Sequence, residues 1–331
     1  MKILKNEEIN DKRWIKLYND CSFSSPFQTP TFFNFFHSLD DFSADVFAVE
    51  EGEELTSLVV VTIQKEKGIK GFFSRRGIVY GGLLIANKSK ESIKYLLKSV
   101  IKYYSGKLIY LEFRNYFDYT SVHDSILASG FEFIPWLNFH LDIAAPELML
   151  KNMSSSRARQ IKKVIKSGVK WQEAQSEKEV NSFYEILEDL YVNKIKKPLF
   201  PKQFFLDFYR QNIGKYLLIY FEEKVIGGIM CPILEGKAIY EFYVCGLDTE
   251  YKNQYPSVMA TWAAMEYASI NNIPLFDFMG AGSPAEEYGV REFKSRFGGR
   301  QVEHGRYLRI INPLLYKIGI VGLKVLSKIK R

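Results

Sequence analysis

The chain has 331 residues, of which 47% are hydrophobic and 25% are charged, a balance typical of globular proteins with room for two domains. Its formal net charge of +7 favours an anionic partner such as RNA, a phosphorylated substrate or an acidic membrane surface. No apolar run of about 20 residues could span a bilayer, and no signal peptide is evident, so we expect a cytoplasmic protein. The spacing of the cysteines and histidines favours neither a disulfide framework nor a metal site.

In chain order, the sequence pattern of the first half predicts a hairpin, a helix and buried strands. Residues 45–63 contain two apolar runs around an acidic, glycine-containing turn, the pattern of a β-hairpin. Residues 89–106 carry apolar side chains at helical spacing and lead to a buried strand at 107–113. A short helix, a glycine and one long strand at 131–143 then complete the half.

The second half predicts the same order of elements. A hairpin at 216–234 is followed by a helix at 257–272, a strand at 274–279, a second helix, and a last strand at 301–311. The repeat predicts two mixed α/β domains of related topology, with the boundary near Ala145. The alternative is two unrelated α/β domains.

A basic stripe lies between the two halves. Arg159, Lys162, Lys163 and Lys166 share one face of a predicted helix, which Gly168 is expected to end. One interpretation is a phosphate-binding face for RNA, a nucleotide or a lipid diphosphate. The alternative, which we favour, is the solvated face of an amphipathic helix.

The C-terminal tail, residues 312–331, is apolar with basic residues along one side. Such a helix can lie flat on an anionic membrane or pack its apolar side on the protein. Packing is the favoured prediction, because Gly319 and Gly322 allow close helix contact.

Residues 277–299 combine a glycine turn with a lysine between two aromatic rings. Gly280 follows a buried strand and allows a ligand to approach the backbone closely. Lys294 lies between Phe293 and Phe297, where partial desolvation would strengthen its effect on a developing oxyanion or a phosphate. The alternative is a lysine that extends its ammonium past the rings to water.

The pattern DFxG followed by GVxxFKxxFGG in this segment resembles the FemABX family of peptidoglycan-bridge aminoacyltransferases. It also resembles the wider FemAB-like group of the GNAT acyltransferase superfamily. Three further stretches agree with the family: SPFQTPTFFNFF (25–36), SRRGIVYGG (74–82) and MSSSRARQIKKVIKSGVKW (153–171).

The resemblance implies two tandem GNAT-like α/β domains with mixed sheets and a substrate groove between them. We place these domains at residues 1–145 and 146–311, with the helix at 312–331 packing back on the first. The implied reaction moves an aminoacyl group from tRNA to an amine of a peptidoglycan precursor, nucleotide- or lipid-linked. No tightly bound cofactor is implied, and peripheral contact with the inner face of the membrane is compatible with a lipid-linked acceptor.

The resemblance also assigns roles to individual residues. Lys294 matches the lysine thought to stabilise charge at the aminoacyl ester carbonyl. Lys194 falls near a basic position associated with the diphosphate of the precursor, and Arg76 is a second candidate for that task. Tyr243 and Phe293 are expected to line the groove beside Gly280.

The attacking amine must be neutral, so a group near it has to accept its proton. Asp277 and Glu241 lie at strand positions that could face the groove, and either could take this role. The structural alternatives are that Asp277 caps the following turn and that Glu241 pairs with a lysine.

Two features depart from related families. No sustained heptad pattern predicts the coiled-coil arm of some FemABX members. Acyl-CoA-dependent relatives hold pyrophosphate with a glycine-rich turn before a helix, whereas residues 251–262 here contain no glycine and have Pro256 near the helix start. This argues against acyl-CoA as the donor. The alternatives remain an acyl-CoA-dependent N-acyltransferase and a non-catalytic module that binds RNA or a cell-wall precursor.

Overall fold

Two mixed β-sheets form the centre of the fold in the computed structural model, which describes residues 1–64, 75–86 and 89–320. The chain divides into two compact units. The first contains Met1–Trp136 and Glu303–Arg331, and the second contains Leu137–Val302.

Each sheet contains eight strands within the described residues. The strands of the first sheet are β1 (Lys2–Lys5), β2 (Phe42–Glu51), β3 (Glu54–Gln64), β4 (Arg76–Gly81), β5 (Leu84–Ile85), β6 (Tyr110–Asn115), β7 (Glu132–Ile134) and β16 (Arg306–Ile310). Those of the second are β8 (Leu137–Asp142), β9 (Lys170–Glu173), β10 (Gly214–Phe221), β11 (Lys224–Leu234), β12 (Ala238–Tyr240), β13 (Tyr243–Gly246), β14 (Leu275–Asp277) and β15 (Arg300–Glu303).

The α-helices lie between these strands in the chain. They are α1 (Asp11–Asp20), α2 (Pro30–Ser38), α3 (Lys90–Tyr104), α4 (His123–Leu127), α5 (Pro146–Asn152), α6 (Ser155–Lys166), α7 (Glu177–Leu190), α8 (Lys202–Arg210), α9 (Pro256–Ile270) and α10 (Gly289–Ser295). No helix among the described residues is long and apolar enough to cross a membrane. All three cysteines are buried and free.

The two sheets repeat one strand order. The first runs β1-β2-β3-β4-β6-β16-β7, with β5 paired to β3, and the second runs β9-β10-β11-β12-β14-β8-β15, with β13 paired to β11. In both, one pair is parallel: β4 with β6, and β12 with β14. The architectural repeat predicted from the sequence is therefore present strand by strand.

The prediction that each half ends in one continuous strand is wrong. Each of these segments divides into two strands that belong to different sheets. In the first half, β7 ends before Pro135, which has no N–H to donate to a neighbouring strand, and β8 then joins the second sheet. In the second half, Gly305 turns the chain at a φ of 65°, so that β15 stays in the second sheet and β16 joins the first.

This exchange moves the unit boundary away from the position predicted near Ala145. The chain leaves the first unit after Trp136 because β8 pairs with β14 of the second sheet. It returns at Glu303 because β16 pairs with β6 of the first sheet.

A buried helix packs on each sheet. The inner face of α3 consists of Ile93, Leu96, Leu97, Val100 and Tyr104, each at most 1% exposed. The α9 helix is buried around most of its circumference in the core of the second unit, where small alanine side chains allow close contact with the strands.

The C-terminal tail is described only to residue 320, so most of the predicted helix at 312–331 lies outside the described residues. Residues 313–320 are helical. The Tyr316 ring lies 5.7 Å from the Tyr110 ring of the first unit, whereas Leu314 and Ile318 are 69% and 49% exposed. This part of the tail therefore packs one side on the first unit.

Candidate active site

The candidate site forms where two strands of the second sheet diverge. After β12, the Glu241 N–H donates to the Asp277 carbonyl at 2.9 Å, but the next N–H, of Phe242, donates to the Met230 carbonyl at 3.1 Å. The chain thus loses its pairing with β14 after Glu241, while its pairing with β11 continues into β13. Such points at the carboxyl ends of parallel strands are where open α/β sheets bind ligands.

A buried ion pair lies at this divergence. Lys294 is 7% exposed and Glu241 is 5% exposed, and the Lys294 Nζ lies 3.0 Å from Glu241 Oε1. The same Nζ donates to the Phe278 carbonyl at 2.6 Å and to the Gly280 carbonyl at 2.9 Å. An ammonium has three N–H donors, so all of them have acceptors here.

The carboxylate of Glu241 is held from its other side by α9. Thr261 Oγ1 donates to Glu241 Oε2 at 3.2 Å, and Thr261 is fully buried. Burial raises the pKa of Glu241, although Lys294 and Thr261 oppose that rise by stabilising the charged form. Glu241 therefore depends on Lys294 to remain ionised in this environment.

Asp277 is the centre of a second set of buried hydrogen bonds. Asn138 Nδ2 donates to Asp277 Oδ1 at 2.7 Å, and His140 Nε2 lies 3.1 Å from Asp277 Oδ2. The Met279 N–H also donates to Asp277 Oδ1, at 2.6 Å. Asp277 thus has the geometry expected of a residue that caps the following turn, the structural alternative to a catalytic role.

The turn after β14 is held in an unusual backbone conformation. Met279 has a φ of 56° and Gly280 a φ of 125°, both in the region that most residues avoid. The Gly280 N–H donates to Asn138 Oδ1 at 2.7 Å, while its carbonyl accepts from Lys294. Both polar groups of Gly280 are therefore fixed by side chains.

The α10 helix, which carries Lys294, is fixed by an arginine of α6. Arg157 is 4% exposed, and its guanidinium lies 4.6 Å from the Phe293 ring centre and 4.5 Å from that of Phe297. Its Nη2 also donates to the Phe293 carbonyl at 3.2 Å. Arg157 thus contacts the aromatic residue on each side of Lys294, and burial lowers its pKa to about 10.

The glycine pair that ends the motif allows close backbone packing. A Cβ on Gly298 would lie 2.4 Å from the Asn152 carbonyl oxygen, and one on Gly299 would lie 3.0 Å from that of His140. Gly298 also has a φ of 87°. The motif therefore joins α10 to β8 and to the end of α5.

An aromatic cluster connects Tyr243 to the turn that carries Lys194. Tyr243, two residues after Glu241, has its ring 5.1 Å from the Phe205 ring and 6.1 Å from the Tyr191 ring. Tyr191 begins the π-helical turn Tyr191–Ile195 that carries the exposed Lys194. Turns of this kind are frequent at functional sites.

The other predicted residues lie outside this cluster. Arg76 is on β4 of the first unit, where its Nη2 donates to Gln64 Oε1 at 2.5 Å. The stripe residues of α6 are exposed, and none of them forms an ion pair within the described residues: Arg159, Lys162, Lys163 and Lys166.

Sequence reasoning did not assign Asn138, His140 or Thr261 to the site. Asn138 and His140 alternate with apolar residues on β8, and polar residues at alternate positions of a buried strand are the signal that could have identified them. The sequence, however, predicts that this strand belongs to the first domain. It therefore gives no reason to place these two side chains beside Asp277. Arg157 lies two residues before the basic stripe, and nothing in its spacing indicates its contact with α10.

The N-terminus of α9 is occupied by an acidic side chain. Asp248 Oδ1 accepts from the Ser257 N–H at 3.1 Å, and Asp248 Oδ2 accepts from Ser257 Oγ. Pro256 is the first residue of the helix, as expected from the sequence, and has no N–H. A carboxylate at this position would repel a phosphate.

In the described part of the chain, no group of three or more His, Cys, Asp or Glu side chains could hold a metal ion. The buried charges of this site are instead balanced by one another and by backbone carbonyls.

Comparisons with known proteins agree with this fold. Residues 226–321, which include Glu241, Asp277 and Lys294, match the FemAB family. The structure is similar to that of FemX, with a TM-score of 0.73 and 13% identity over 95% of this chain and 99% of that chain. The resemblance to the FemAB family is therefore confirmed.

Two further solved structures are similar over most of the chain. The C-terminal domain of a putative lysylphosphatidylglycerol synthetase from Agrobacterium fabrum gives a TM-score of 0.62, with 12% identity over 95% of this chain and 96% of that chain. A tandem GNAT protein from the clavulanic acid biosynthesis pathway gives a TM-score of 0.59, with 10% identity over 94% of this chain and 99% of that chain. The fold is thus mixed α/β with two GNAT-like units. No curated protein sequence matches the chain.

Proposed function

We propose that this protein is a FemAB-like acyltransferase that moves an aminoacyl group from aminoacyl-tRNA to an amine of a peptidoglycan precursor or related cell-envelope acceptor. The observation that carries the proposal is the buried Lys294–Glu241 pair at the strand divergence, within the segment that matches the FemAB family. The likeness to FemX over 95% of the chain supports the same assignment.

The reaction requires positive charge close to the carbonyl under attack. The amine nitrogen forms a bond to the ester carbon, the carbonyl oxygen becomes negative, and the ribose oxygen of tRNA leaves as the C–O bond breaks. The proton lost by the amine ends on that ribose oxygen. A fixed ammonium in a low-dielectric site stabilises the intermediate oxyanion without reorganising at the moment of reaction.

Lys294 fills this role through its contact with the turn after β14. Its three N–H donors contact Glu241, Phe278 and Gly280, so one contact has to open before Lys294 can donate to a substrate oxygen. We assign this opening to the contact with the Gly280 carbonyl, because this carbonyl belongs to a turn residue that is partly exposed. Glu241 then holds the ammonium in place through its 3.0 Å contact.

The N-terminus of α9 supports tRNA rather than acyl-CoA as the donor. Acyl-CoA-dependent relatives place the pyrophosphate at the corresponding helix N-terminus, where free N–H groups bind it. Here the Asp248 carboxylate accepts the Ser257 N–H, and Pro256 removes a second donor. A pyrophosphate at this position would meet a negative charge and fewer donors.

A thermal-unfolding titration tests the donor. Aminoacyl-tRNA, uncharged tRNA, CoA and several acyl-CoAs would each be added to the intact protein. A ligand at a hundredfold excess over its Kd stabilises the native state by about 2.7 kcal/mol. We expect stabilisation by aminoacyl-tRNA that exceeds the effect of uncharged tRNA, and no shift with CoA species.

The Asp248→Asn variant is the control, because it removes the negative charge while keeping an acceptor for Ser257. A clear shift of the wild-type protein with an acyl-CoA would contradict the tRNA donor and favour a CoA-dependent N-acyltransferase. Binding of tRNA with no preference for the charged form would favour a non-catalytic RNA-binding module.

A further inference from the structure

Two arginines of the first unit share a single glutamate on one face of the first sheet. Arg306 of β16 and Arg114 of β6 are register partners, and Glu112 lies two residues before Arg114 on the same strand. Side chains two residues apart on a strand point to the same face. Arg306 Nη1 lies 2.5 Å from Glu112 Oε1, and Arg114 Nε lies 3.3 Å from the same oxygen.

The cluster carries an excess positive charge in a partly desolvated place. The side chains of Arg114 and Arg306 are 32% and 22% exposed, and that of Glu112 is 11% exposed. Burial acts to raise the pKa of Glu112, but the two arginines outweigh it and lower the pKa, so the carboxylate is ionised. Two guanidiniums therefore share one carboxylate; Glu132 of β7 lies on the same face but forms no ion pair with either arginine among the described residues.

Most of the guanidinium donors remain available. Arg114 uses Nε, and Arg306 uses Nη1, in their bonds to Glu112, and neither side chain makes another hydrogen bond within the described residues. Each guanidinium has five N–H donors. The pair thus presents several N–H groups that no described protein acceptor satisfies.

Aromatic rings hold both guanidiniums in place. The Arg306 Cζ lies 3.7 Å from the Trp136 ring centre, and the Arg114 Cζ lies 5.4 Å from that of Tyr80. Stacking on a ring leaves the edge of a guanidinium, where its donors lie, directed elsewhere. This fixes the donors before a ligand arrives and reduces the entropy lost on binding.

Two other paired arginines are balanced differently. Among the described residues, Arg13 pairs with Glu50, and Arg210 contacts both Glu177 and Asp207. In those two cases the acidic groups equal or outnumber the arginine. The Arg114–Arg306 cluster has the opposite balance, which an external anion would correct.

We propose that Arg114 and Arg306 form a binding site for an oxyanion, the phosphate or carboxylate group of a ligand, on this face of the first sheet. Both groups match the forked donors of a guanidinium, which bind two oxygens at once. The site is distinct from the Lys294 cluster and does not depend on the reaction proposed above. Arg76, although on the same face, lies four residues from Tyr80 along β4, about 13 Å away, and does not belong to the cluster.

Isothermal titration calorimetry with pyrophosphate, inorganic phosphate and succinate tests the site on the full chain. Sodium chloride at equal ionic strength is the control for non-specific screening. We expect saturable binding of at least one of these anions. Tighter binding of pyrophosphate would assign a phosphorylated ligand, and tighter binding of succinate a carboxylate ligand.

Two variants make the test specific. Arg114→Gln leaves a neutral Arg306–Glu112 pair and should weaken anion binding by about tenfold or more, as loss of a charge-assisted contact implies. Glu112→Gln removes the competing negative charge and should strengthen binding by about fivefold or more. Arg309→Gln, on the same strand but the opposite face, should leave binding unchanged.

Saturable binding to the wild-type protein, weakened in Arg114→Gln and kept in Arg309→Gln, separates a ligand site from a structural ion-pair network, because a network that Glu112 already satisfies has no reason to bind an anion. If Arg114→Gln does not fold, Arg114→Lys takes its place: it keeps the charge but cannot bind two oxygens at once, so it should also weaken anion binding. Heats equal to those of sodium chloride for all three anions would overturn the proposal. So would equal anion affinity in the wild-type, Glu112→Gln and Arg309→Gln proteins.

Discussion

At the scale of single residues, the candidate site centres on one buried ion pair. Lys294 and Glu241 are each less than 10% exposed, and their charges compensate each other in the core of the second unit. A buried charge without its partner destabilises the folded protein, so each of these two residues depends on the other. A loss of activity on substitution of Lys294 therefore has to be separated from a loss of stability.

A double-mutant cycle makes this separation. Lys294→Met leaves the Glu241 carboxylate buried without its partner, and we expect the free energy of unfolding to fall by about 3–5 kcal/mol. The double variant Lys294→Met with Glu241→Gln removes the unpaired charge and should recover a large part of that loss. Urea unfolding of the two single variants and the double variant measures the coupling.

Lys163→Met, which alters an exposed lysine of α6, is the matched control and should change stability by less than about 0.5 kcal/mol. Additive effects of the two single substitutions would contradict the account, because they would mean that the pair does not interact in the folded protein.

Sequence reasoning identified Lys294, Glu241 and Asp277 but could not join them. Helical spacing and the flanking rings single out Lys294, yet nothing local indicates that its partner is the glutamate directly after β12, far earlier in the chain. His140 escaped notice because its contact with Asp277 depends on which sheet β8 joins, and that is a property of the assembled fold. Their roles in catalysis remain predictions.

At the scale of secondary-structure elements, the position of Lys294 depends on the contact between α6 and α10. Arg157 contacts both Phe293 and Phe297, and the Ser154 N–H at the start of α6 donates to the Arg296 carbonyl at 3.0 Å. From the α10 side, Arg291 Nε donates to the Ala281 carbonyl at 3.0 Å. The helix is thus connected both to α6 and to the turn that Lys294 contacts.

The Arg157→Met variant tests this connection. Methionine keeps apolar contact with the two rings but loses the bond to the Phe293 carbonyl, a hydrogen bond from a charged donor worth about 1.5–3 kcal/mol. We expect faster amide hydrogen exchange in residues 289–297, while exchange in α3 of the first unit stays unchanged.

Arg159→Met is the control, since it alters an exposed arginine of the same helix. Unchanged exchange in α10 of the Arg157→Met protein would show that Arg157 does not position this helix.

Helices and strands were predicted well where a local sequence pattern defines them. They were predicted poorly where the bounds of a strand depend on the strand with which it pairs. The two hairpins and the α3 helix follow from apolar periodicity and turn residues, and all are present. The last strand of each half was predicted as continuous because periodicity continues through it. Only the interruptions at Pro135 and Gly305, together with the pairing of β8 and β16, reveal two strands in each place.

At the scale of the whole molecule, the two units share a strand order but differ where their parallel strands end. In the first unit, Gly81 and Gly82 occupy this place, and protein side chains bind them: Tyr119 OH donates to the Gly81 carbonyl at 2.8 Å and Gln28 Nε2 to the Gly82 carbonyl at 3.0 Å. In the second unit the corresponding place holds the Lys294–Glu241 pair. The two copies of the repeat therefore differ at this place, and only the second has a buried ion pair there among the described residues.

The central claim is that the second unit catalyses aminoacyl transfer through Lys294. The most direct measurement is the transfer of a radiolabelled aminoacyl group from tRNA to nucleotide-linked and lipid-linked peptidoglycan precursors. It would be made with the wild-type protein and with Lys294→Met combined with Glu241→Gln, after both are shown to be folded. We predict labelled precursor with the wild-type protein and a rate lower by about a hundredfold or more in the variant, as for loss of one oxyanion donor. Transfer at near wild-type rate by the folded variant would contradict the role of Lys294, and transfer from acyl-CoA instead of aminoacyl-tRNA would contradict the proposed donor.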